Sequence, residues 1–429
     1  MVVHILIIFG LALVFSVPIA IALGLASVLP ALMNPGFVAN VPYVIRGMVS
    51  GIDNTPILAI PLFILSGSIM ARGGISKKLF DVFAYIVGKR TAGMPIAVII
   101  TCLFYGAISG SGIATTAAVG GMTIPILVSL GYDKVFSAAL VATAGGLGVI
   151  IPPSIPFIMY GLTTGTSVGA LFSAGVLPGF LIASALMGYA YVYCKINGED
   201  REKIDNNLAE LRSKGFFGVF RESFWALMAP VIILGGIYSG IVTPTEAASV
   251  SVFYALVVCL FIYKTMNFKN LPNILRETVR AYAPLTMLLA LATVFGRVLT
   301  LMRAPDMIGT YLTSSFSQTF TLLLAINIVF LLLGMFLDVG PAIVILAPIL
   351  LPAVMKMGVN PVHFGIIMTV NLAVGMVTPP FGVNLFVASP LIDTPVMTLG
   401  KKVIPFVISF ILALLCITFI PAISLTLVN

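Results

Sequence analysis

One stretch of this sequence occurs twice, and the repetition constrains the fold more than any other feature. Residues 109–161 read SGSGIATTAAVGGMTIPILVSLGYDKVFSAALVATAGGLGVIIPPSIPFIMYG. Sliding them by 227 residues places Pro152-Pro153 on Pro379-Pro380, Gly148 on Gly375, Val135 on Val362, Gly131 on Gly358 and Pro125 on Pro352, without a gap. Each copy runs apolar segment, Gly/Pro break, apolar segment. Proline removes a backbone donor and glycine loosens the chain, so each copy holds an interrupted helix. Interrupted helices at matching places in two halves of an apolar chain point to a membrane protein built from inverted repeats, with a binding site at the breaks.

Composition agrees with that reading. The chain has 60% hydrophobic and 8% charged residues, with a mean hydropathy of +1.17. Soluble domains carry about a quarter charged residues. Runs such as Val403 to Leu427 are apolar for a bilayer's thickness, which favours membrane helices over barrel strands, where apolar and polar residues alternate. The start, Met1 to Ala31, lacks a basic leader and runs into further spans, so it is expected to stay in the mature chain. Cys102, Cys194, Cys259 and Cys416 are scattered through apolar segments without metal or disulfide spacing and read as small buried hydrophobes.

Charge orients the spans. Of 22 Lys and Arg, 18 fall in clusters at Arg72–Arg90, Lys134, Lys195–Arg221, Lys264–Arg280 and Lys401-Lys402. If these face the cytoplasm, an even number of crossings must separate successive clusters. That is met by two inverted-topology repeats, residues 1–194 and 223–429, joined by a polar cytoplasmic linker at 195–222 that acts as a hinge. Each repeat holds a re-entrant helical hairpin (94–130 and 320–355) and a broken helix (135–161 and 362–388). The expected fold is an all-α polytopic membrane protein. Arg46 to Asp53 and its counterpart Lys264 to Arg280 read as interfacial arm helices on opposite faces, the latter preceding a span at Pro284 to Met302. The separate basic loops, with no aromatic interleaving, give no sign of nucleic-acid binding.

The chain has no Walker A motif and neither histidine, His4 or His363, has a sequence partner for catalysis, so an enzyme is not expected. Helix breaks free carbonyls that a Na⁺ ion can occupy together with hydroxyls. One expected Na⁺ cradle is Ser109, Gly110 and Ser111 against Gly148, Ile151 and Ser154. The other is Gly334 and Gly340 against Gly375 and Thr378. No other metal and no organic cofactor are expected. Two charges lie within apolar segments, Arg297 and Asp338, at a cost of roughly 3 kcal/mol or more unless each meets a partner or water. Either they pair with each other, or Arg297 receives a substrate carboxylate while Asp338 accepts from substrate hydroxyl or amide groups. Thr115, Thr116, Thr163 and Asn384 complete the expected substrate set. Glu246, in TPTEAAS, reads as an N-terminal cap charge: Thr243 or Thr245 opens the helix and the acid favours its positive end.

The paired hairpins, the GVIIPPS and GMVTPPFGVN breaks, the TPTEAA turn and the ISGSG tip resemble the large membrane (M) subunit of the tripartite ATP-independent periplasmic (TRAP) transporters, over essentially the whole chain. The resemblance implies Na⁺-driven uptake of an organic acid across the bacterial cytoplasmic membrane by an elevator motion. It also implies two partners, a periplasmic substrate-binding protein and a small four-helix membrane subunit. Arg297, in FGRVLTLMRAPD, resembles the sialic-acid branch, so N-acetylneuraminate is the expected substrate. The alternatives are a TRAP subunit for another carboxylate such as a C4-dicarboxylate, or a Na⁺-coupled carboxylate transporter that works without a binding protein. A channel would need a ring of pore-lining charges, which is absent from the sequence.

Overall fold

The computed structural model describes residues 2–316 and 318–428. The outer ends of the expected repeats, residues 1 and 429, lie outside them. Among the described residues every regular element is helical, and nine helices are long and apolar enough to cross a bilayer.

The same order of elements runs through the chain twice. Two apolar helices, Val2–Val14 and Ile19–Met33, are followed by Val41–Ile52, the span Thr55–Arg72 and a short amphipathic helix, Ile75–Val87. Next come the hairpin Gly93–Ser109 with Gly112–Ser129, the broken helix Lys134–Gly145 with Ile155–Thr164, and the long span Val168–Asn197. The second half repeats this with Gly215–Tyr238, Pro244–Leu256, Leu271–Leu301 and Ala304–Ser315. Its hairpin is Thr319–Phe336 with Val339–Lys356, its broken helix is Pro361–Gly375 with Val383–Ala388, and Val396–Phe419 closes it.

Packing between the halves is reciprocal. Ile19–Met33 lies on Leu271–Leu301 of the second half, and its counterpart Pro244–Leu256 lies on Ala59–Arg72 of the first. A pseudo-two-fold relation requires this exchange. The broken helices also start alike. Asp133 accepts from the Phe136 amide at 2.7 Å, and its 227-residue mate Asn360 accepts from Val362 at 2.8 Å, each side chain satisfying amides that have no partner in the first turn. The Thr243-Glu246 start is a full capping box: the Glu246 carboxylate accepts from the Thr243 amide at 2.7 Å, and the Thr243 hydroxyl from the Glu246 amide at 3.3 Å.

Two expectations are corrected. The arm expected at Lys264 to Arg280 is not separate from the following span, because Leu271–Leu301 is one 31-residue helix with Pro284 inside it. A proline inside a membrane helix costs one backbone bond, which neighbouring helices tolerate. The linker is not a loose hinge either. Val168–Asn197 runs into it, and helix Arg201–Ser213 lays Ile204 and Leu208, both 1% exposed, against the Ile75–Val87 layer. Burying two large aliphatic side chains contributes roughly 1.5–3 kcal/mol each, enough to dock a charged helix.

Glu199, just before that helix, fastens the joint. Its carboxylate accepts from the Ala92 amide at 3.0 Å, the Tyr132 hydroxyl at 2.6 Å and the Arg201 guanidinium at 2.8 Å. Burial, then the Glu199 hydrogen bond, push the Tyr132 phenol well above its ordinary range, so it stays a donor. Ion pairs tie the basic clusters together at one end of the molecule: Lys78–Glu222 at 3.0 Å, Lys214–Glu222 at 3.1 Å, and Arg72 with Glu277.

Candidate functional site

In each half the hairpin crosses the broken helix at a pair of glycines. A Cβ on Gly106 would come 2.8 Å from the Gly148 α-carbon, and one on Gly375 would collide with the Gly334 backbone. Only hydrogen side chains allow this approach. It brings the first hairpin tip onto the first break, where Ile155 N–H donates to the Gly110 carbonyl at 3.3 Å. Gly110 ends the inner arm at φ +62°, a left-handed conformation that glycine adopts without strain.

The residues expected for the first cradle lie close together. The Ser109 hydroxyl is 2.9 Å from that of Thr115, and the Thr115 hydroxyl donates to the Ser111 carbonyl at 2.8 Å. Ser154 donates to the Val149 carbonyl and caps Phe157 at 3.4 Å. Gly148 sits against this knot, since a Cβ there would lie 2.6 Å from the Ser111 oxygen. The donor set suits Na⁺, because hydroxyl and carbonyl oxygens surround the break without a carboxylate. Ile151 contributes no side-chain oxygen and packs against Gly179 of Val168–Asn197.

The second cradle is looser. Gly334 and Gly375 touch, and Thr378 donates to the Val374 carbonyl at 2.6 Å. Gly340 instead faces the other broken helix, where a Cβ would lie 2.8 Å from the Met159 sulfur.

Between the tips lies a cavity of about 630 Å³. The first hairpin supplies Ser109 to Ile113, the second supplies Asp338 to Gly340, the broken helices give Met159 and Met376, and Ile64, Ser68, Ala281 and Leu285 form the opposite wall. Asp338 opens Val339–Lys356 and accepts from the Val339 amide at 2.8 Å. Its second oxygen has no recorded partner among the described residues. Ala71 and Ala281, which line it, are next in the chain to Arg72 and Arg280, so this cavity lies towards the basic end.

Arg297 is elsewhere. It lines a separate cavity of about 410 Å³ with Tyr43, Thr163, Thr293, Thr300 and Pro348, and donates to the Ser50 hydroxyl at 2.8 Å. Arg297 and Asp338 therefore neither pair nor share a chamber in this conformation. Three of the other expected substrate residues also move away from the cavities. Thr115 is bound into the hydroxyl knot, whereas Thr116 and Asn384 are fully buried at the end of Lys134–Gly145. Asn384 donates there to the Ala142 carbonyl at 3.0 Å. Of the four, only Thr163 reaches a cavity.

Sequence reasoning missed the two methionines and a buried polar chain behind the second break. There Asn371 donates to the Asn327 side chain at 2.6 Å, Asn327 to Thr418 at 3.1 Å, and His363 Nε2 lies 3.2 Å from the Thr418 carbonyl. The signal was available as asparagines inside apolar runs, since such residues need partners in a bilayer.

Residues 6–423 match the family described as the tripartite ATP-independent periplasmic transporter, DctM component. The isethionate TRAP transporter permease protein DctMQ of Oleidesulfovibrio alaskensis is 45% identical over 97% of this chain, which spans 65% of that protein's length. The C4-dicarboxylate large permease protein DctM of Pseudomonas aeruginosa is 39% identical over 88% of this chain and 87% of its own length. The sialic acid large permease protein SiaM of Vibrio cholerae is 34% identical over 90% of both. Among solved structures, the YdaH transporter of Alcanivorax borkumensis superposes with a TM-score of 0.66 at 13% identity, covering 92% of this chain and 91% of its own. At that identity the likeness shows the fold alone.

Proposed function

Because this chain belongs to the DctM-component family of tripartite ATP-independent periplasmic transporters, we propose that it is the large membrane subunit that imports a small organic anion, driven by Na⁺. It is a multi-pass protein of the bacterial inner membrane and a transporter component rather than an enzyme. In this reading a periplasmic binding protein delivers the solute, and a small membrane subunit sits alongside.

The observation that carries the proposal is the convergence of both hairpin tips and both helix breaks on one cavity. Breaks supply carbonyls for Na⁺, tips supply side chains for the solute, and the glycine crossings couple the two. Ion binding that draws the Ser109, Ser111 and Thr115 oxygens together would shape the cavity wall that Ser109 and Ser111 form. Hairpins and broken helices then move as a body past Leu271–Leu301, in an elevator sense.

For the solute, we favour the shared chemistry of one carboxylate or sulfonate head. The sialic-acid reading needs Arg297 and Asp338 to meet one molecule, and they line separate cavities here. Isethionate, C4-dicarboxylates and N-acetylneuraminate are therefore tested together. The experiment is uptake into proteoliposomes with an imposed Na⁺ gradient, with and without the small subunit and a cognate binding protein. Uptake that needs Na⁺ and the binding protein is expected. Uptake by the chain alone would favour the self-sufficient alternative, and Na⁺-independent uptake would overturn the proposal.

A further inference from the structure

We infer that the Arg297 cavity is an anion-binding antechamber, distinct from the hairpin-tip cavity, that holds the carboxylate or sulfonate head of the solute at the opposite end of one helical seam. The inference rests on the reading that an organic anion crosses this protein, and it adds a second station to that passage.

Three helices line both cavities, and all three meet them in the same order. Leu271–Leu301 presents Ala281 and Leu285 to the tip cavity and Ala292, Gly296 and Arg297 to the other. Ile155–Thr164 presents Ile155 and Met159, then Thr163, while Val339–Lys356 presents Gly340, then Pro348. At 1.5 Å per residue, Met159 to Thr163 spans about 6 Å and Gly340 to Pro348 about 12 Å. The cavities are thus two levels of a single seam, with the tip cavity at the Arg72 and Arg280 end and the Arg297 cavity away from it.

The second level is built for an anion. No Asp or Glu lines it, and Arg297 has no carboxylate within ion-pair reach among the described residues. Its recorded bond to Ser50 uses only Nη1. A guanidinium has five donors, so two adjacent N–H groups remain to grip a planar carboxylate or two sulfonate oxygens. Tyr43, on helix Val41–Ile52, also lines this cavity. An anionic lipid headgroup offers similar oxygens, and the test separates the two sources.

The test places a cysteine at Thr300, in this cavity, in a full-length chain lacking its four native thiols and reconstituted in phosphatidylcholine vesicles. Small anionic and cationic methanethiosulfonates are compared. The anionic-to-cationic rate ratio is expected to fall about tenfold on Arg297→Gln and to recover with Arg297→Lys. Isethionate, succinate or N-acetylneuraminate should slow the labelling, and should still do so with Asp338→Asn, because the stations are separate. An unchanged ratio in Arg297→Gln, or protection that vanishes with Asp338→Asn, would overturn the inference. Protection by added phosphatidylglycerol but by none of the organic anions would overturn it too, assigning the site to lipid. Uptake measured with the same cysteine variant, co-reconstituted with the small subunit and supplied with the binding protein, keeps the proposed function separate: transport with no anion preference at Thr300 sinks only the antechamber.

Discussion

Gly375 lies so close to Gly334 that no Cβ fits between their backbones. This contact fixes the second hairpin on the second broken helix, as Gly106 and Gly148 do in the first half. Gly375→Ala must push two backbones apart, whereas at Gly121 nothing lies within 4 Å of an added Cβ. Gly375→Ala should lose about 1–3 kcal/mol of stability and most Na⁺-dependent uptake, and Gly121→Ala should change neither beyond a few tenths. Thermal unfolding in detergent beside an uptake assay decides it, and equal behaviour of the two variants would refute the crossing.

Thr378 tests the second cradle. Its hydroxyl donates to the Val374 carbonyl, and valine keeps the shape while removing the oxygen. If that oxygen is a Na⁺ ligand, the Na⁺ concentration giving half-maximal uptake should rise severalfold while melting moves little. An unshifted Na⁺ titration would remove Thr378 from the site.

Asp338 has two candidate roles, helix cap and solute contact. Asparagine also caps helices well, so Asp338→Asn should keep the Val339 contact and the fold. Uptake is nevertheless expected to fall at least tenfold, because asparagine replaces one of the two oxygens that can accept from solute hydroxyl or amide groups with a donor. Wild-type uptake would leave Asp338 as a cap alone.

At the linker, Glu199→Ala would strand the Ala92 amide and the Tyr132 hydroxyl, both now satisfied by one carboxylate. Each orphaned buried donor costs about 1–3 kcal/mol. A lowered melting temperature, with faster proteolysis between residues 195 and 222, is the expected result. An unaltered cleavage rate would mean that the docked helix does not depend on this joint.

The ion pairs that join Lys78 and Lys214 through Glu222 predict one side for both basic loops. Cysteines at Lys77 and Lys214 should react with an impermeant maleimide only from the cytoplasm, and one at Met307 only from the periplasm. Labelling of Lys77 and Met307 positions from the same side would break the inverted arrangement.

The sequence alone determined the membrane class, the two halves and the positions of the breaks. Those are local properties: apolar length sets a span, proline and glycine set an interruption, and the 227-residue match of Pro152-Pro153 with Pro379-Pro380 needs no knowledge of packing. That Thr243 or Thr245 opens a helix with Glu246 in its first turn was legible for the same reason, since the signal is local, whereas the capping box itself came from the structure. Which side chains meet was decided only by tertiary structure. Arg297 and Asp338 stood out as costly charges, but whether they share a cavity depends on where along Leu271–Leu301 each level of the seam falls. Thr116 and Asn384 looked like solute contacts, yet the close approach of Gly112 and Gly145 buries them. The linker looked like a solvated hinge because its charges are many, and only the Glu199 contacts with Ala92 and Tyr132, more than 60 residues away in sequence, show that it is fastened. Hydrogen bonds across such separations leave no periodicity in the chain, so only folding reveals them.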